Sequence, residues 1–580
     1  MRGSRAADGQ LDRRFTSVGV SHLQIETTMR FFRRATVLLV LLLWGSGVGP
    51  AQAQQQPLDG ERPRLRADET DTPAKLPNII LFLVDDLGWQ DTSVPFHAEP
   101  TPFNAFYRTP NMERLAEQGM LFTSAYAAAP ICTPTRTSIM TGRHPARTRI
   151  TDWTLVPDVD EQKRTRPWLS VTAPDWNVRG LQPADTTLPE LLRRAGYRTI
   201  HAGKAHFGAL DTPGGDPTTL GFDVNIAGHA AGAPGSYYSE AKYGNKSDGP
   251  WGVPGLETYY GTDTYLTEAL TREANEAIGE AVDDGQPFFL NMAHYAVHAP
   301  IQADSQYVEH YDEADPTEAA YASMVEGYDA SLGAILETLR DRGVAERTLI
   351  LFMSDNGGLS AHARGTTPMG TGQNTHNLPL RSGKGSAYEG GIRVPMIAAW
   401  ARPDSTQPAQ QRLSITSGAR TDVPVTSHDF FPTILEAAGT QVPTGYVLDG
   451  QSFAPLLEEE HASARTTTAR DTTHFWHYPH LWGPKGPGLE PFTAVRAGDW
   501  KLIYFYDDGG RYELYNLARD LGETTDLFEA RPETARRLAE QMRAWMRRVD
   551  AQPPVDRTTG TPAGLPSLPD AEPAVPSGGR

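Results

Sequence analysis

The stretch "NIILFLVDD", residues 78–86, determines the fold class of this 580-residue chain. An unbroken apolar run that ends in two acids predicts a strand buried on both faces. The stretches "PFFLNMAHYAVHAP" (287–300) and "TLILFMSDNGG" (348–358) repeat this pattern, and "TLPELLRRAGYRTIHAGKAHFG" (187–208) predicts a helix followed by a strand. This alternation predicts an α/β domain built on a large, mainly parallel sheet flanked by helices.

The hydrophobic pattern of the sequence changes after about residue 462. "FTAVRAGDWKLIYFYDDGGRYELYNLARD" (492–520) alternates apolar and polar residues around a hairpin signal, and "PETARRLAEQMRAWMRRV" (532–549) has the pattern of an amphipathic helix. We expect a large domain at 77–462, a smaller antiparallel sheet with one packed helix at 463–550, and a disordered tail at 551–580.

The amino terminus has the pattern of an export signal. Arginines after Met29 precede an apolar run at 35–44 that is too short to span a bilayer, and "AQA" (51–53) follows. We predict a signal peptide with an upstream extension at 1–53, a start at Met29, a linker at 54–76, and a periplasmic or secreted protein without a stable membrane span. A membrane anchor is the alternative. The net charge of −18 argues against a nucleic-acid partner.

The chain has a single cysteine, within "AAAPICTPTRTSIMTGRHP" (127–145). An exported chain with one cysteine has no internal disulfide, so Cys132 is either a buried apolar thiol or a chemical group. Pro134 suits the first turn of a helix and Gly142 suits its end. Cys132 would then lie at the amino end of a helix, where an anion is favoured, with Arg136 in the same first turns.

Two polar pairs follow buried strands. Gly88 and Gly357 beside them let the chain turn, so that both members of a pair face one ion; the pairs are Asp85 with Asp86 and Asp355 with Asn356. Three carboxylates and an amide oxygen form a hard-oxygen set that suits Ca²⁺, with Mg²⁺ as the alternative. A helix cap or surface turn is the structural alternative for either pair alone.

Four basic residues complete the candidate site. Lys204 and His206 lie two apart and would share a face on a strand, His298 lies at another strand tip, and Lys384 lies in a glycine-flanked loop. The chain has only eight lysines, and two of them are in these motifs. A solvated lysine or a hydrogen-bonded core histidine is the alternative for each one alone.

Taken together, the C-x-P-x-R-x-x-x-x-T-G pattern at 132–142 and the strand-tip motifs resemble the formylglycine-dependent sulfatases, in particular the arylsulfatase and N-acetylgalactosamine-6-sulfatase branch. The resemblance covers residues 76–550 and implies an alkaline-phosphatase-like fold. It also implies that a formylglycine-generating, sulfatase-maturing enzyme converts Cys132 to 3-oxoalanine, whose hydrate is the nucleophile and, with the two polar pairs, a metal ligand. Lys204 and Lys384 would then bind sulfate oxygens, His206 and His298 would position the diol or protonate the leaving alcohol, and Arg136 would support the nucleophile.

Two residues depart from the commoner family pattern: Ala205 replaces a large residue, and Thr135 replaces serine. Further substrate contacts are proposed for Arg381, for His229, and for His477 and His480 of "HFWHYPH" (474–480), with inter-domain packing as the alternative for that segment. The expected function is hydrolysis of sulfate esters on sulfated carbohydrates or aryl sulfates. The alternatives are a phosphoesterase or phosphonate monoester hydrolase of the same fold, and a noncatalytic protein that binds sulfated glycans.

Overall fold

The computed structural model describes residues 76–160, 166–245, 249–360, 364, 376–458, 470–483, 486–565 and 568. The predicted signal peptide, most of the predicted linker and the predicted domain boundary at 462 lie outside these residues. No helix in the described ranges is both long enough and apolar enough to cross a bilayer.

The strands are β1 Asn78–Val84, β2 Gly119–Tyr126, β3 Val171–Thr172, β4 Arg198–Gly203, β5 Val224–Ile226, β6 Phe288–Ala293, β7 Thr348–Ser354, β8 Arg393–Trp400, β9 Ala419–Thr421, β10 Val425–Thr426, β11 Thr473–Tyr478, β12 Phe492–Ala497, β13 Trp500–Phe505, β14 Arg511–Asn516 and β15 Val555–Asp556. The α-helices are α1 Pro102–Phe106, α2 Pro110–Gln118, α3 Cys132–Thr141, α4 Pro145–Thr148, α5 Leu188–Arg194, α6 Leu266–Asp283, α7 Pro316–Asp341, α8 Glu389–Ile392, α9 Pro408–Arg412, α10 Phe430–Ala437, α11 Ala454–Leu457 and α12 Pro532–Val549.

The large sheet has the strand order β10-β2-β8-β7-β1-β6-β4-β5, with β9 pairing to β2. Strand β1 pairs in parallel with both β6 and β7, and β6 pairs in parallel with β4. Only β8 runs antiparallel to its neighbours β2 and β7. The predicted mainly parallel α/β sheet is confirmed, and its topology brings the carboxyl ends of β1, β4, β6 and β7 to one edge.

Both faces of the large sheet are covered, which explains the unbroken apolar run of β1. Ile80 and Phe82 belong to one buried apolar cluster, together with residues of α6 and α7. Leu81 and Leu83 point the other way and belong to a second cluster, together with residues of α10. Successive strand residues face opposite sides, so a strand sandwiched between two apolar layers shows no alternation.

The smaller sheet is antiparallel, in the order β11-β12-β13-β14. Helix α12 packs on one face, where its Leu538 and Met542 join Leu502 of β13. The other face, with Ile503, packs against Ile131, the residue before Cys132. The predicted antiparallel subdomain with one helix is confirmed, and it reaches the segment that carries the single cysteine.

The predicted disordered tail begins too early. Strand β15, Val555–Asp556, pairs antiparallel with β3, and the backbone N–H of Arg557 donates to the carbonyl of Ser170. The prediction is therefore wrong for the start of the segment, because these residues find backbone partners in a distant loop. Beyond residue 565 only residue 568 is described.

A buried charge cluster joins the two sheets. The Lys501 ammonium of β13 lies 2.9 Å from Glu389 Oε1 and 2.8 Å from Glu523 Oε1, and all three side chains are fully buried. Burial raises the pKa of Glu389, but Lys501 and Arg393 lower it more, so this carboxylate stays ionised. The smaller subdomain is therefore attached to the large domain by buried ion pairs as well as by apolar contacts.

We expect Lys501→Ala to lower the free energy of unfolding by about 3–5 kcal/mol, because it removes the cation shared by two buried carboxylates and leaves Glu389 with its ion pair to Arg393 but Glu523 without its ammonium partner. Urea denaturation followed by circular dichroism measures this change. Arg194→Ala, which removes an exposed ion pair with Glu190, is the matched control and should change stability little. A loss no larger for Lys501→Ala than for the control would contradict the role of the buried cluster.

Candidate active site

Cys132 is the first residue of α3. The preceding residue, Ile131, is extended and makes no side-chain cap, and Gly142 ends the helix in the left-handed region with φ 63°. The thiol is 4% exposed; its Sγ lies 3.6 Å from Asp85 Oδ1 and 3.3 Å from Lys384 Nζ. Burial raises the pKa of Cys132 to about 12, so the unmodified thiol is protonated at neutral pH and is a weak nucleophile.

The structure brings the acidic strand tips together around this cysteine. Asp85 and Asp86 follow β1, and Asp355 follows β7. One ligand atom from each of these residues and Cys132 Sγ all lie within 4.8 Å of one another, and all four residues are buried. Asn356 joins the group by donating from Nδ2 to Asp86 Oδ1 over 2.7 Å.

The turn that makes this possible falls on Asp86 itself, which adopts φ 61°. The left-handed region costs an ordinary residue energy, and aspartate tolerates it better than most. Gly88 and Gly357 have a different role from the predicted one. A Cβ on Gly88 would lie 2.6 Å from Asn377 Oδ1, and one on Gly357 would lie 1.8 Å from the Gly390 carbonyl, so these glycines permit close packing of the loops.

Each carboxylate has a basic partner within 2.7 Å: Lys204 Nζ lies 2.5 Å from Asp85 Oδ2, Lys384 Nζ lies 2.6 Å from Asp86 Oδ1, and Arg136 Nε lies 2.7 Å from Asp355 Oδ2. Two longer contacts add to these pairs, from Arg136 Nη2 to Asp85 at 3.8 Å and from His298 Nε2 to Asp86 at 3.6 Å. Burial raises the pKa of Asp86, but Lys384 and His298 outweigh it, and the resulting pKa is below the ordinary value. Burial and the neighbouring Asp355 raise the pKa of Asp85 well above its usual range.

Strand β4 ends at Gly203, so Lys204 and His206 lie just beyond it and do not share a strand face as predicted. His206 adopts φ 54°, and its Nε2 lies 2.9 Å from the Thr154 carbonyl. A carbonyl only accepts, so Nε2 carries the proton and Nδ1 keeps a lone pair. That Nδ1 is buried without a hydrogen-bond partner, and burial together with Lys204 and Arg136 lowers the pKa of His206.

His298 has the opposite tautomer. Its Nδ1 lies 2.7 Å from the Ala299 carbonyl and therefore carries the proton, while Nε2 lies 3.6 Å from Asp86 Oδ2. Burial and the nearby Lys384 lower the pKa of His298 to about 3. Both histidines are thus neutral and each keeps one nitrogen lone pair in the buried site.

The donor set fits a hard divalent cation. Asp86 Oδ2 and Asn356 Oδ1 are buried and make no hydrogen bond, which is costly unless another partner binds them. Four oxygen-bearing side chains suit Ca²⁺ or Mg²⁺, whereas the sulfur of Cys132 is a poor ligand for either ion. The cluster is complete for such a cation only if an oxygen replaces that sulfur.

The predicted substrate contacts are engaged elsewhere. Arg381 Nη1 donates to the Glu523 carbonyl over 2.8 Å and stacks over Tyr388. His477 binds Thr493 Oγ1 and the Gln552 carbonyl, both at 2.8 Å.

The other two candidates differ from each other. His480 is buried, with Nε2 at 2.9 Å from Thr151 Oγ1. Inter-domain packing is therefore the interpretation of "HFWHYPH" that the contacts favour. His229 does adjoin the site, but through its backbone: its carbonyl accepts from the His206 N–H over 3.1 Å.

Two residues beside the site escaped the sequence analysis. Thr154 fixes the tautomer of His206 through its carbonyl, and no sequence signal marks a backbone acceptor. Trp482 places its ring 4.8 Å from Lys384 Nζ. It lies two residues after the histidine-rich segment, so that segment indicated the neighbourhood but not this side chain.

Comparison with known proteins agrees with this geometry. Residues 77–440 match the family model described as "Sulfatase", and residues 383–552 match the one described as "N-sulphoglucosamine sulphohydrolase, C-terminal". The two matches overlap across the Lys384 loop and together span both sheets.

Individual relatives extend over most of the chain. A sulfatase of Formosa agariphila is 30% identical over 83% of this chain and 91% of its own, and the N-acetylgalactosamine-6-sulfatase of Homo sapiens is 30% identical over 79% and 82%. The crystal structure of Ps i-CgsB in complex with k-i-k-neocarrahexaose aligns with a TM-score of 0.63 and 27% identity over 81% of this chain and 92% of its own. These similarities, and the cluster around Cys132, establish that the chain belongs to the sulfatase family and is a sulfuric ester hydrolase.

Proposed function

We propose that this protein hydrolyses sulfate esters of carbohydrates with a formylglycine hydrate, formed from Cys132, as its nucleophile. The observation that supports this most directly is the position of Cys132 Sγ, 3.3 Å from Lys384 Nζ and within 4.8 Å of ligand atoms from three carboxylates. Charged neighbours do not stabilise a neutral thiol that serves only to fill an apolar core. They suit a hydroxyl group that is deprotonated and reacts with an anionic sulfate ester.

The conversion of Cys132 by a formylglycine-generating enzyme answers two chemical needs of the site. The hydrated aldehyde would supply one hydroxyl that attacks the ester sulfur and breaks its bond to the alcohol oxygen, so that the alcohol leaves. Deprotonation of its second hydroxyl would then expel sulfate as the aldehyde re-forms. It also replaces a soft sulfur ligand by oxygen among hard oxygen donors. A serine at this position would supply only the first hydroxyl.

The basic residues bind the sulfate group. Three basic side chains, Lys204, Lys384 and Arg136, pair with the three carboxyl groups of Asp85, Asp86 and Asp355. A bound divalent cation would add positive charge to this site, which would favour an anionic ester. Lys204 and Lys384 can donate from their ammonium groups to sulfate oxygens, where such donors are typically worth about 10²–10³ in rate each.

The two histidines handle protons. The lone pair on His206 Nδ1 can accept a proton from a hydroxyl on residue 132, while Thr154 holds the ring in this tautomer. The His298 side chain is 19% exposed, so its Nε2 lone pair beside Asp86 can take up a proton from solvent water and pass it to the leaving alcohol. Their neutrality in the free enzyme means that both start as acceptors.

The proposed metal ligands are Asp85, Asp86, Asp355, Asn356 and the oxygen derived from Cys132. Ca²⁺ is the proposed ion because five or more oxygen ligands in an irregular arrangement suit it better than Mg²⁺. The cation would supply positive charge beside the nucleophile and lower the pKa of a bound hydroxyl. The unpaired oxygens of Asp86 and Asn356 support this assignment.

The substrate class is proposed from the relatives. One is named for N-acetylgalactosamine 6-sulfate, and one solved structure holds a neocarrahexaose. A sulfated carbohydrate is therefore the proposed substrate. A periplasmic or secreted location is proposed from the export pattern at residues 29–53.

We expect 4-nitrophenyl sulfate to be hydrolysed with a kcat/KM at least about 10²-fold above that of 4-nitrophenyl phosphate. The reason is that a sulfatase site stabilises the transition state of sulfate ester hydrolysis more than that of phosphate ester hydrolysis. The enzyme is to be co-expressed with a maturing enzyme, and the tryptic peptide that contains residue 132 should be about 18 Da lighter than the thiol form. Faster cleavage of the phosphate ester would reverse the assignment to a phosphoesterase. An unmodified thiol without turnover would favour a glycan-binding protein.

A further inference from the structure

Two loops beside the Cys132 end of α3 pack together as one unit. Leu169 from one loop and Leu481 and Leu489 from the other form a small buried apolar cluster. Arg166 Nη2 donates to the Gly483 carbonyl over 3.1 Å. The side chains that flank these leucines are therefore held in a defined place relative to one another.

The inner end of this unit is Trp482. Its ring centroid lies 4.8 Å from Lys384 Nζ, and a Cβ on Gly385 would come within 2.7 Å of its Cε3. Gly385 has φ 86°, so both the backbone conformation and the close approach of the ring require glycine there. Because Lys384 Nζ also lies 3.3 Å from Cys132 Sγ, this partly exposed indole adjoins the reacting group.

The outer end is Trp168. The guanidinium of Arg166 lies 5.4 Å from the centre of its ring. Trp168 is 51% exposed, more than any other large apolar side chain in the described ranges. A single exposed tryptophan is unremarkable, but this one is linked through Arg166 and Gly483 to a second tryptophan at the active site.

The contacts link four side chains in sequence: Lys384 lies beside Cys132 and Trp482, Arg166 donates to the carbonyl of Gly483, the residue after Trp482, and Trp168 lies against Arg166. Indole rings offer flat apolar faces on which the C–H faces of sugar rings pack, at a low cost in side-chain entropy. A guanidinium binds planar oxyanions through paired N–H donors. Alternating rings and cations are thus complementary to a chain of sugars that carries sulfate groups.

We propose that Arg166 and Trp168 form a subsite for the sugar next to the one that is desulfated, and that Trp482 contacts the desulfated ring itself, so that the preferred substrate is a sulfated oligosaccharide and not a single sugar sulfate. This inference rests on the proposed sulfatase function and adds where the remainder of the substrate binds. The indole of Trp482 packs against the ring that carries the reacting ester, Arg166 binds a sulfate of the neighbouring sugar, and Trp168 packs against that neighbour.

The test compares a large and a small substrate in the same variants. We expect Trp168→Ala and Arg166→Gln to lower kcat/KM about tenfold on the oligosaccharide that is turned over best, chosen from a chondroitin 6-sulfate tetrasaccharide and a κ/ι-carrageenan hexasaccharide. Hydrolysis of 4-nitrophenyl sulfate, which is too small to reach these residues, should stay within about twofold of the wild-type value. The loss should fall mainly on KM, because these residues bind substrate away from the reacting bond.

Trp168→Phe and Arg340→Gln are the matched controls. Phenylalanine keeps an apolar ring and should restore most of the oligosaccharide activity. Arg340 is an exposed arginine near the end of α7, before β7 begins, so it lies at the sheet edge opposite the active site. Its replacement removes the same charge and should leave both substrates unchanged.

The outcomes separate this inference from the function beneath it. Equal losses on both substrates, or no loss on the oligosaccharide, would overturn the subsite. An enzyme that cleaves 4-nitrophenyl sulfate but neither oligosaccharide would also overturn it. An enzyme that cleaves no sulfate ester when residue 132 is converted would overturn the proposed function instead.

Discussion

Replacing Cys132 with alanine is expected to abolish sulfate ester hydrolysis, with kcat reduced by at least about 10⁴-fold. Alanine removes the atom from which the nucleophile forms, and no other serine, threonine or cysteine takes its place between Lys384 and Asp85 among the contacts of the described residues. Turnover of 4-nitrophenyl sulfate by the purified variant, with circular dichroism and thermal unfolding on the same sample, measures both effects.

The fold should survive this change. Cys132 is one small side chain at a helix end, and its removal leaves the apolar clusters of both sheets intact. Unfolding of Cys132→Ala would restore the interpretation of a buried structural thiol. Retained activity would place the nucleophile elsewhere.

Cys132→Ser separates the two roles of the hydrate. Serine keeps one hydroxyl but lacks the second, so attack on the ester would leave a stable sulfate ester on the protein. We expect about one equivalent of nitrophenol per enzyme followed by arrest, if the serine is not converted. Continued turnover by an unconverted serine variant would show that the second hydroxyl is dispensable.

The second large effect concerns the cation. Removing divalent ions with EDTA should lower kcat/KM by at least about 10²-fold, because the nucleophile then lacks the positive charge that stabilises its deprotonated form. Thermal stability should fall as well, since Asp86 Oδ2 and Asn356 Oδ1 would lose a partner in a buried site. Activity and melting temperature are to be followed through removal and through addition of Ca²⁺ or Mg²⁺.

Asp86→Asn provides the matched variant. Asparagine has nearly the same size and tolerates the left-handed conformation that Asp86 adopts, so the change removes one charge with little backbone strain. We expect this variant to need a higher Ca²⁺ concentration for half-maximal activity. Full activity of the metal-free wild-type enzyme would refute the ion site.

Much of the fold could be read from local pattern. The apolar run of β1, with acids at its end, predicted a strand covered on both faces, and the structure has apolar clusters on both sides of it. The Asp-Asp-Gly-Gly sequence at 507–510 predicted the hairpin that joins β13 to β14. These features follow from the periodicity of side chains along a strand and from turn chemistry, which act over a few residues.

The sequence alone also determined which residue types could form the site: a cysteine at a helix start, acids and an amide after parallel strands, and scarce lysines in glycine-rich loops. Parallel strands bring their carboxyl ends to one edge, so the spacing of these motifs was sufficient to predict that they meet. What it could not determine was the geometry of each side chain. The turn at Asp86, the tautomers set by Thr154 and Ala299, and the ring of Trp482 over Lys384 all depend on neighbours that are distant along the chain.

The same reason explains why the proposed substrate contacts have partners within the protein. Arg381 and His480 have partners across the interface between the two sheets, and His477 is hydrogen-bonded within the smaller subdomain. A polar side chain has the same appearance in sequence whether it meets a ligand or another part of the chain. Only the packing of the smaller sheet against the larger one, which buries these groups and requires that they be hydrogen-bonded, decides between the two.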